Sequence, residues 1–556
     1  MINRGQNFKQ FPININGSST FGRYPKISIE KTYNLFSSDD WLVPYAGYQS
    51  VQNLNLGNVG RGIHTSTKLN RLVSVVDEKV YLINIFFDQN LAKTFDTQAI
   101  HIGTLQTDDG VVYIAENNKP QILFSDNVNL YIYDRTLTPS FQTISTIDFT
   151  PGYIDFHDTY FLCAASQDNF YSPPANNTWR LSDSNDGTSW PDDAAHIGLL
   201  ETKSDNTQAV VRVPSRGNLI VVMGETVTEL WSDVGYQLFP YSRNNNYSVD
   251  YGCLNPATIA ALDEFVVWLA QNEKTGPIIV YTNGGETKKI TTDGIDYLFS
   301  QLTAPQDSQA FLYRQDGHLF YHINFYTDNL SLYYDFNTDK FYHACDENLN
   351  YFIANEVAFF NNQYYFLTKN NGNLYAFDTI FTTFDGNEAP RFRICKNVRL
   401  PSQEYFIAND IGFTIETGQI PYQQQIVSPI FLITQDSKFL ITQGNNIFMQ
   451  TQDGKFITSQ DGNMFVYQQF DNTDFDFLIA QQSEIINVQP RVDFSISIDG
   501  GESFSSDFPY VLNPWANRRN KLMWWQCGIA NDFVAQFRFW GLGRFVATDG
   551  ILNIHQ

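Results

Sequence analysis

A short phrase, Leu-Tyr-x-aromatic-Asp, ends strand-like runs at Leu130–Asp134 and Leu374–Asp378, with a close variant at Leu332–Asp335. The last two start 42 residues apart. A spacing of ~40–50 residues is what stacked four-stranded blades give. Between these phrases lie short apolar runs bounded by Gly, Pro, Asn and Asp, the pattern of strands and turns. No stretch keeps an i, i+3, i+4, i+7 apolar period for long, and aromatics make up 15% of the chain, which favours strands. The expected fold class is all-β, β-propeller-like. A series of β-sandwiches is the other architecture such spacing allows.

The stretch from Asn177 to Ala270 reads as one blade-like β unit. Leu219–Met223 has the continuous apolar character of a buried strand, and Glu225–Trp231 alternates as a half-exposed strand does. Within it, Asp186, Gly187, Ser189 and Trp190 form a shortened Asp-box turn, with Gly187 supplying positive φ and Trp179 and Trp190 burying their faces beneath. A full version, S-x-D-x-G-x-S/T-W/F, appears at Ser497, Asp499, Gly501, Ser503 and Phe504. In both, the Asp and Ser side chains satisfy loop amides and the aromatic plugs a blade below. Their expected role is structural.

Four segments follow. Residues 1–30 are an extended N-terminal arm, residues 31–425 the main part of the propeller, residues 426–486 an inserted β-hairpin domain, and residues 487–556 the strands that complete the propeller. The insertion carries a repeat marked by Thr434, Thr442, Thr451 and Ser459, in which strands of about six residues alternate with turns such as Asp-Gly-Lys and Asp-Gly-Asn. It reads as a five-strand meander, with a small β-solenoid as the alternative. Short polar hairpins are marginal alone, which points to packing against other subunits.

The net charge is −24. A surface this acidic does not wrap nucleic acid by neutralising phosphates, although it suits a conduit along which DNA slides without sticking. The five cysteines, Cys163, Cys253, Cys345, Cys395 and Cys527, are far apart and form no CxxC, so reduced buried thiols are expected. The first residues lack the apolar core of a signal peptide, and no apolar run spans a bilayer, so a soluble chain is expected. No phosphate loop, nucleophile elbow, HExxH or dinucleotide fingerprint is present. His318 and His322 lie four apart in a strand, a span of ~13 Å that one metal does not bridge. The acidic run 471–477 lacks the Gly and distal Glu of a calcium loop. No catalytic residue, cofactor or metal is expected, and the chain is read as a non-enzyme.

The order of segments is itself informative. SDSNDGTSW is followed by ETKSDN, SRGNLIVVMGETVTELWSDVGYQLFPYSR and DYGCLNPATIAALDEFVVWLAQNEKTG, then by TKKITTDGID, DSQAFLYRQDGHLFYHINF and LYYDFNTDKFYH. This order resembles the packaged-DNA stabilisation, or tail hub, proteins of short-tailed bacteriophages. RGIHTSTKLNRLVSVVDEKVYLIN from Arg61 looks like that family's first blade, and RVDFSISIDGGESF like its late Asp-box strand. The resemblance covers about residues 25–425 and 487–556. The repeat within 430–469 departs from it.

The resemblance implies a structural virion protein. It would form a homohexameric ring below the portal adaptor, the tail nozzle. That ring closes the DNA channel, retains the packaged genome and opens for ejection. Implied partners are the adaptor, tail fibre, spike or needle proteins, and passing double-stranded DNA bound without sequence specificity. The implied location is the virion tail, after synthesis and assembly in the host cytoplasm. Two other classes fit the residues alone. One is a glycan-binding or glycan-cleaving, sialidase-like propeller for receptor recognition, which the Asp boxes suggest but no N-terminal Arg-Ile-Pro segment supports. The other is a generic propeller scaffold.

Overall fold

Tight hairpins set the architecture. Asp316 and Gly317 (φ 50° and 87°) join Ser308–Gln315 to His318–Phe325, and Asn361 and Asn362 (φ 48° and 60°) join Ala354–Phe360 to Gln363–Thr368. Two consecutive positive-φ residues make the turn whose twist matches that of paired strands, and Asn, Asp and Gly adopt it at least cost. Repetition of this unit gives a meander of antiparallel sheets.

In this computed structural model the described residues are 8–23, 30–51, 54, 56–88, 93–236, 238–262, 264–417, 432–433, 439–440, 490–512, 519–542 and 544–555. Among them, seven sheets follow one another as blades. Blade 1 spans Gly60–Thr104, blade 2 Tyr113–Thr143, blade 3 Phe149–Leu199 and blade 4 Thr207–Val249. Blade 5 spans Gly252–Lys289, and blade 6 begins with the four strands from Ser308 to Ala344. Blade 7 takes three strands from Ala354–Asp378, and its outer strand is Gly47–Ser50, far upstream in sequence. That strand closes the ring, since it leads into the inner strand of blade 1.

Each seam between blades is filled by a separate apolar cluster. Leu162, Trp179, Val210 and Val222 fill the seam between blades 3 and 4. The seam between blades 6 and 7 is aromatic: Tyr45, Tyr48, Phe311, Tyr313, Phe320, Tyr333, Phe352 and Phe366 are buried together. Tyr45 stacks on Tyr333 with centroids 4.4 Å apart, and Tyr48 on Phe384 at 4.6 Å, so the closing segment is held by stacking as well as by its ladder.

Asn177–Ala270 is not one blade. It holds the outer half of blade 3, all of blade 4 and the inner half of blade 5. The strand Thr228–Asp233 is buried along its first four residues rather than half-exposed, because blades cover both faces of it. The phrases at Leu130, Leu332 and Leu374 lie in the third strands of blades 2, 6 and 7, and each terminal Asp accepts the amide two residues on: Asp134 from Thr136, Asp335 from Asn337, Asp378 from Ile380. The phrase is therefore a strand plus the cap of the turn that follows it.

Residues 490–555 do not complete a blade, since Gly47–Ser50 already does so. With upstream strands they build a two-sheet sandwich. One sheet joins Phe8–Ile13, Gly550–His555, Phe406–Thr417, Phe545–Ala547, Trp41–Pro44 and Leu35–Ser38, with Arg519–Ala530 paired to Phe406–Thr417. The other continues the blade 6 sheet through Lys31–Tyr33, Arg391–Ile394, Val534–Trp540, Arg491–Ser497 and Phe508–Val511. Phe413, Phe494, Trp524 and Phe537 interleave between the two sheets. The arm is tied down by the pairing of Phe8–Ile13 with Gly550–His555, and by buried Arg393, which donates to Ser18 O (2.8 Å), Asn14 O (3.1 Å) and Glu30 Oε2 (2.6 Å).

The compact unit holding the propeller and sandwich comprises residues 1–418 and 489–556, and residues 419–488 form a second unit. In that unit Leu432–Ile433 pairs antiparallel with Phe439–Leu440. The rest of the expected hairpin domain lies outside the described residues.

Candidate functional site

The inner strands of the blades converge on an axis, and the loops that enter them frame a chamber of about 730 Å³. Its wall takes residues from every blade, including Arg61, Asn127, Tyr153, Asn206, Asn255, Gln309 and Lys369. Buried Arg61 fixes one quadrant of this rim. Its guanidinium donates to the carbonyls of Asp77 (2.9 Å), Thr107 (2.6 Å), Asp109 (2.7 Å) and Gly110 (2.8 Å), so the loop from blade 1 to blade 2 is sewn to the strand carrying Arg61. Asp109, Glu225 and Asp307 line the rim together with Arg61 and Lys369, and Lys369 pairs with Asp307 at 2.9 Å.

A smaller cavity of about 90 Å³ shares Val111, Tyr113, Tyr153 and Gln309 with the chamber, and its wall adds Asn355 and Glu356. The rings of Tyr113 and Tyr153 lie 4.9 Å apart, and burial raises both phenols well above their ordinary value. Burial also pushes the Glu356 carboxyl up to about 7, opposed by the Ile63 N–H donated to Oε2 at 3.1 Å. A neighbouring inner strand carries His64, whose imidazole is pushed down chiefly by burial. A cavity of about 90 Å³ holds no DNA duplex, whose major groove alone is ~12 Å wide.

Sequence reasoning did not single out Glu356, Tyr113 or Tyr153. They lie in short strands that look like any other, and only ring closure brings blades 2, 3 and 7 together. A Glu set between Asn355 and the apolar run Val357–Phe360 is the one local signal.

The predicted turn residues do not line this chamber. Asp186, Gly187, Ser189 and Trp190 sit between the third and fourth strands of blade 3. Asp186 Oδ1 accepts from Thr188 N (3.0 Å) and Oγ1 (2.6 Å), whereas the Ser189 hydroxyl goes to Asp183 Oδ2 (2.5 Å), an aspartate not singled out from sequence. The positive φ falls on Asn185 (55°) and not on Gly187. Gly187 is needed for closeness, since a Cβ there would lie 2.7 Å from Phe161 Cε2. Trp190 is 6% exposed in the seam of blades 2 and 3 and donates Nε1 to Gly187 O at 3.0 Å.

The second turn is held by its own side chains. Asp499 Oδ1 accepts from Ser497 Oγ (2.6 Å) and the amides of Glu502 (3.1 Å) and Ser503 (3.0 Å), Asp499 Oδ2 from Ser503 Oγ (2.5 Å), and Gly501 N reaches Ser497 Oγ (2.8 Å). It stands on the sandwich, not on a blade, and Phe504 is only half-buried. His318 and His322 face separate partners: His318 Nδ1 meets Asp335 Oδ2 at 2.8 Å, while buried His322, pushed down to about 3, meets Asn324 Oδ1 at 3.1 Å. All five cysteines are buried and unpaired.

No curated protein matches the chain. Similar solved structures include the N-terminal domain of Nup159 (10% identity, 63% of this chain and 98% of that one, TM-score 0.39). A streptogramin B lyase matches at 10% identity over 61% of this chain and 99% of its own, with TM-score 0.38. The computationally designed Ika8 protein does so at 11% over 59% and 98%, with TM-score 0.34. A family model, by contrast, matches residues 37–381, which run from the sandwich strand Leu35–Ser38 through all the blades and stop short of the C-terminal strands, the Ser497–Phe504 turn included. The chain thus belongs to the phage stabilisation family described as bacteriophage P22 Gp10, beta-propeller, and is a structural protein of a bacteriophage.

Proposed function

We propose that the chain is the subunit of a tail hub or nozzle, a homohexameric ring below the portal adaptor that closes the DNA channel, retains the packaged genome and opens for ejection. The observation that carries this reading is the family match falling on a propeller closed by its own upstream strand. A closed ring of blades, fused through one continuous sheet to a sandwich, suits a load-bearing part under DNA pressure. Because the cavities framed by the blades are too small for a duplex, DNA would pass through the centre of a ring of subunits. The net charge of −24 suits a lining that does not grip phosphates. A ring needs different surfaces on the two sides of each subunit.

Purified chain mixed with the adaptor and imaged by electron microscopy is expected to give six-fold rings. A chain that stays monomeric with the adaptor present counts against the reading. Residues 426–486 are proposed as an inserted hairpin domain that docks fibre, spike or needle proteins. Deleting 430–469 is expected to leave one cooperative melting transition near the wild-type temperature, because the other compact unit has its own cores. Loss of that transition sinks the insertion reading.

A further inference from the structure

The Glu356 carboxylate is at odds with its surroundings. It lines the small axial cavity, and among the described residues no ion pair reaches it. Its hydrogen bond comes from Ile63 N–H, on Oε2. Glu356 is half-buried, and a carboxylate partly withdrawn from water is favoured by a cation or further donors. The walls around it suit a cation. Tyr113 and Tyr153 line both cavities, and aromatic rings attract ammonium groups through their faces. Above them the chamber presents side-chain amides, among them Asn127, Asn206 and Gln309, and the carboxylates of Asp109 and Glu225. Thr207, 3% exposed in the chamber wall, carries a hydroxyl with no partner in the protein.

The donor set also chooses the kind of cation. Among the described residues no group of three His, Cys, Asp or Glu gathers to hold a metal. A compact ammonium also needs less room than a planar guanidinium with its five donors. A cavity of about 90 Å³ has room for roughly three waters' share of liquid volume, enough for an ammonium on a slender stem.

We propose that the axial chamber is a binding site for a protonated primary amine, seated with its nitrogen against Glu356 below Tyr113 and Tyr153. The amine is either free, as in a linear polyamine, or the end of a lysine side chain presented by an extended protein segment. The site does not depend on the tail-ring reading.

Isothermal titration of the full chain with spermidine and, separately, with the peptide Gly-Gly-Lys-Gly-Gly tests it. At least one is expected to bind with one-to-one stoichiometry, and Glu356→Gln to weaken it roughly tenfold or more, the worth of a charge-assisted hydrogen bond. Glutamine still accepts from Ile63, so the variant is expected to fold, and a melting curve checks that it does. Tyr113→Leu is a second variant expected to weaken binding several-fold. Binding of spermidine alone assigns the site to free amines, and binding of the peptide alone assigns it to a lysine side chain. No one-to-one binding by either probe overturns the proposal. So does binding at many sites that Glu356→Gln and Tyr113→Leu leave unchanged, since that is adsorption to an acidic surface.

Discussion

The two Asp-containing turns share a signature and differ in what lies beneath them. In blade 3 the turn caps a seam. Trp190 is 6% exposed among Phe149, Phe156 and Phe161, and the chain at Gly187 presses on Phe161 too closely for a Cβ. On the sandwich, Asp499 gathers two amides and two hydroxyls as a more complete turn, yet Phe504 is only half-buried and the carboxylate is open to water. The better-formed hydrogen-bond ring therefore belongs to the turn with the lesser core. Hydrogen bonds fix the shape of such a turn, and apolar burial decides how much the fold depends on it.

This difference is open to test by substitution. Trp190→Ala is expected to cost ~3–5 kcal/mol in denaturant unfolding, as loss of a large buried side chain does. An unchanged midpoint would show that the blade 3 turn carries no more than its counterpart. Gly187→Ala is expected to cost ~1–3 kcal/mol by overpacking against Phe161, and a neutral result would mean that Phe161 gives way. Phe504→Ala is expected to cost about 0.5–1 kcal/mol, the scale of a half-buried surface change. A loss as large as that at Trp190 would erase the distinction.

The smallest effect is electrostatic. Hydrogen bonds from Ser497 and Ser503 hold the Asp499 carboxyl well below its ordinary value of 3.8. The folded value is depressed, so its contribution is fully present above the unfolded value and is lost as pH falls through the folded one. Carbonyl carbon NMR is expected to show Asp499 still ionised at pH 3.8, and a midpoint at or above that value would show an unformed turn.

Local chemistry was readable where neighbouring residues decide it. The Asp ending the runs at Leu130, Leu332 and Leu374 caps its own turn, so strand and turn are both visible in five residues. The hydrogen bonds of the Asp499 turn likewise run between residues close in sequence. What depends on distant chain was not. Glu225–Trp231 alternates like a half-exposed strand, but the strand that forms, Thr228–Asp233, is covered on both faces by blades. Gly47–Ser50 carries no mark of a partner more than three hundred residues downstream. The role of Asp183 was hidden by Asp186, three residues on and nearer the motif's spacing. Glu356 gains its setting only from Tyr113 and Tyr153 across the ring closure.

The closing strand has a consequence for synthesis. Gly47–Ser50 leaves the ribosome before any blade exists, and its antiparallel partner, Leu374–Asp378, is the last blade strand made. At ~5–20 residues per second, about 15–70 s separate the two. For that interval the strand edge and the neighbouring aromatic residues Tyr45 and Tyr48 have no final home, and the growing row of blades stays open at both ends. The first part of the clasp to be made is thus the last to engage, and nascent chains are most prone to clasp one another while they wait.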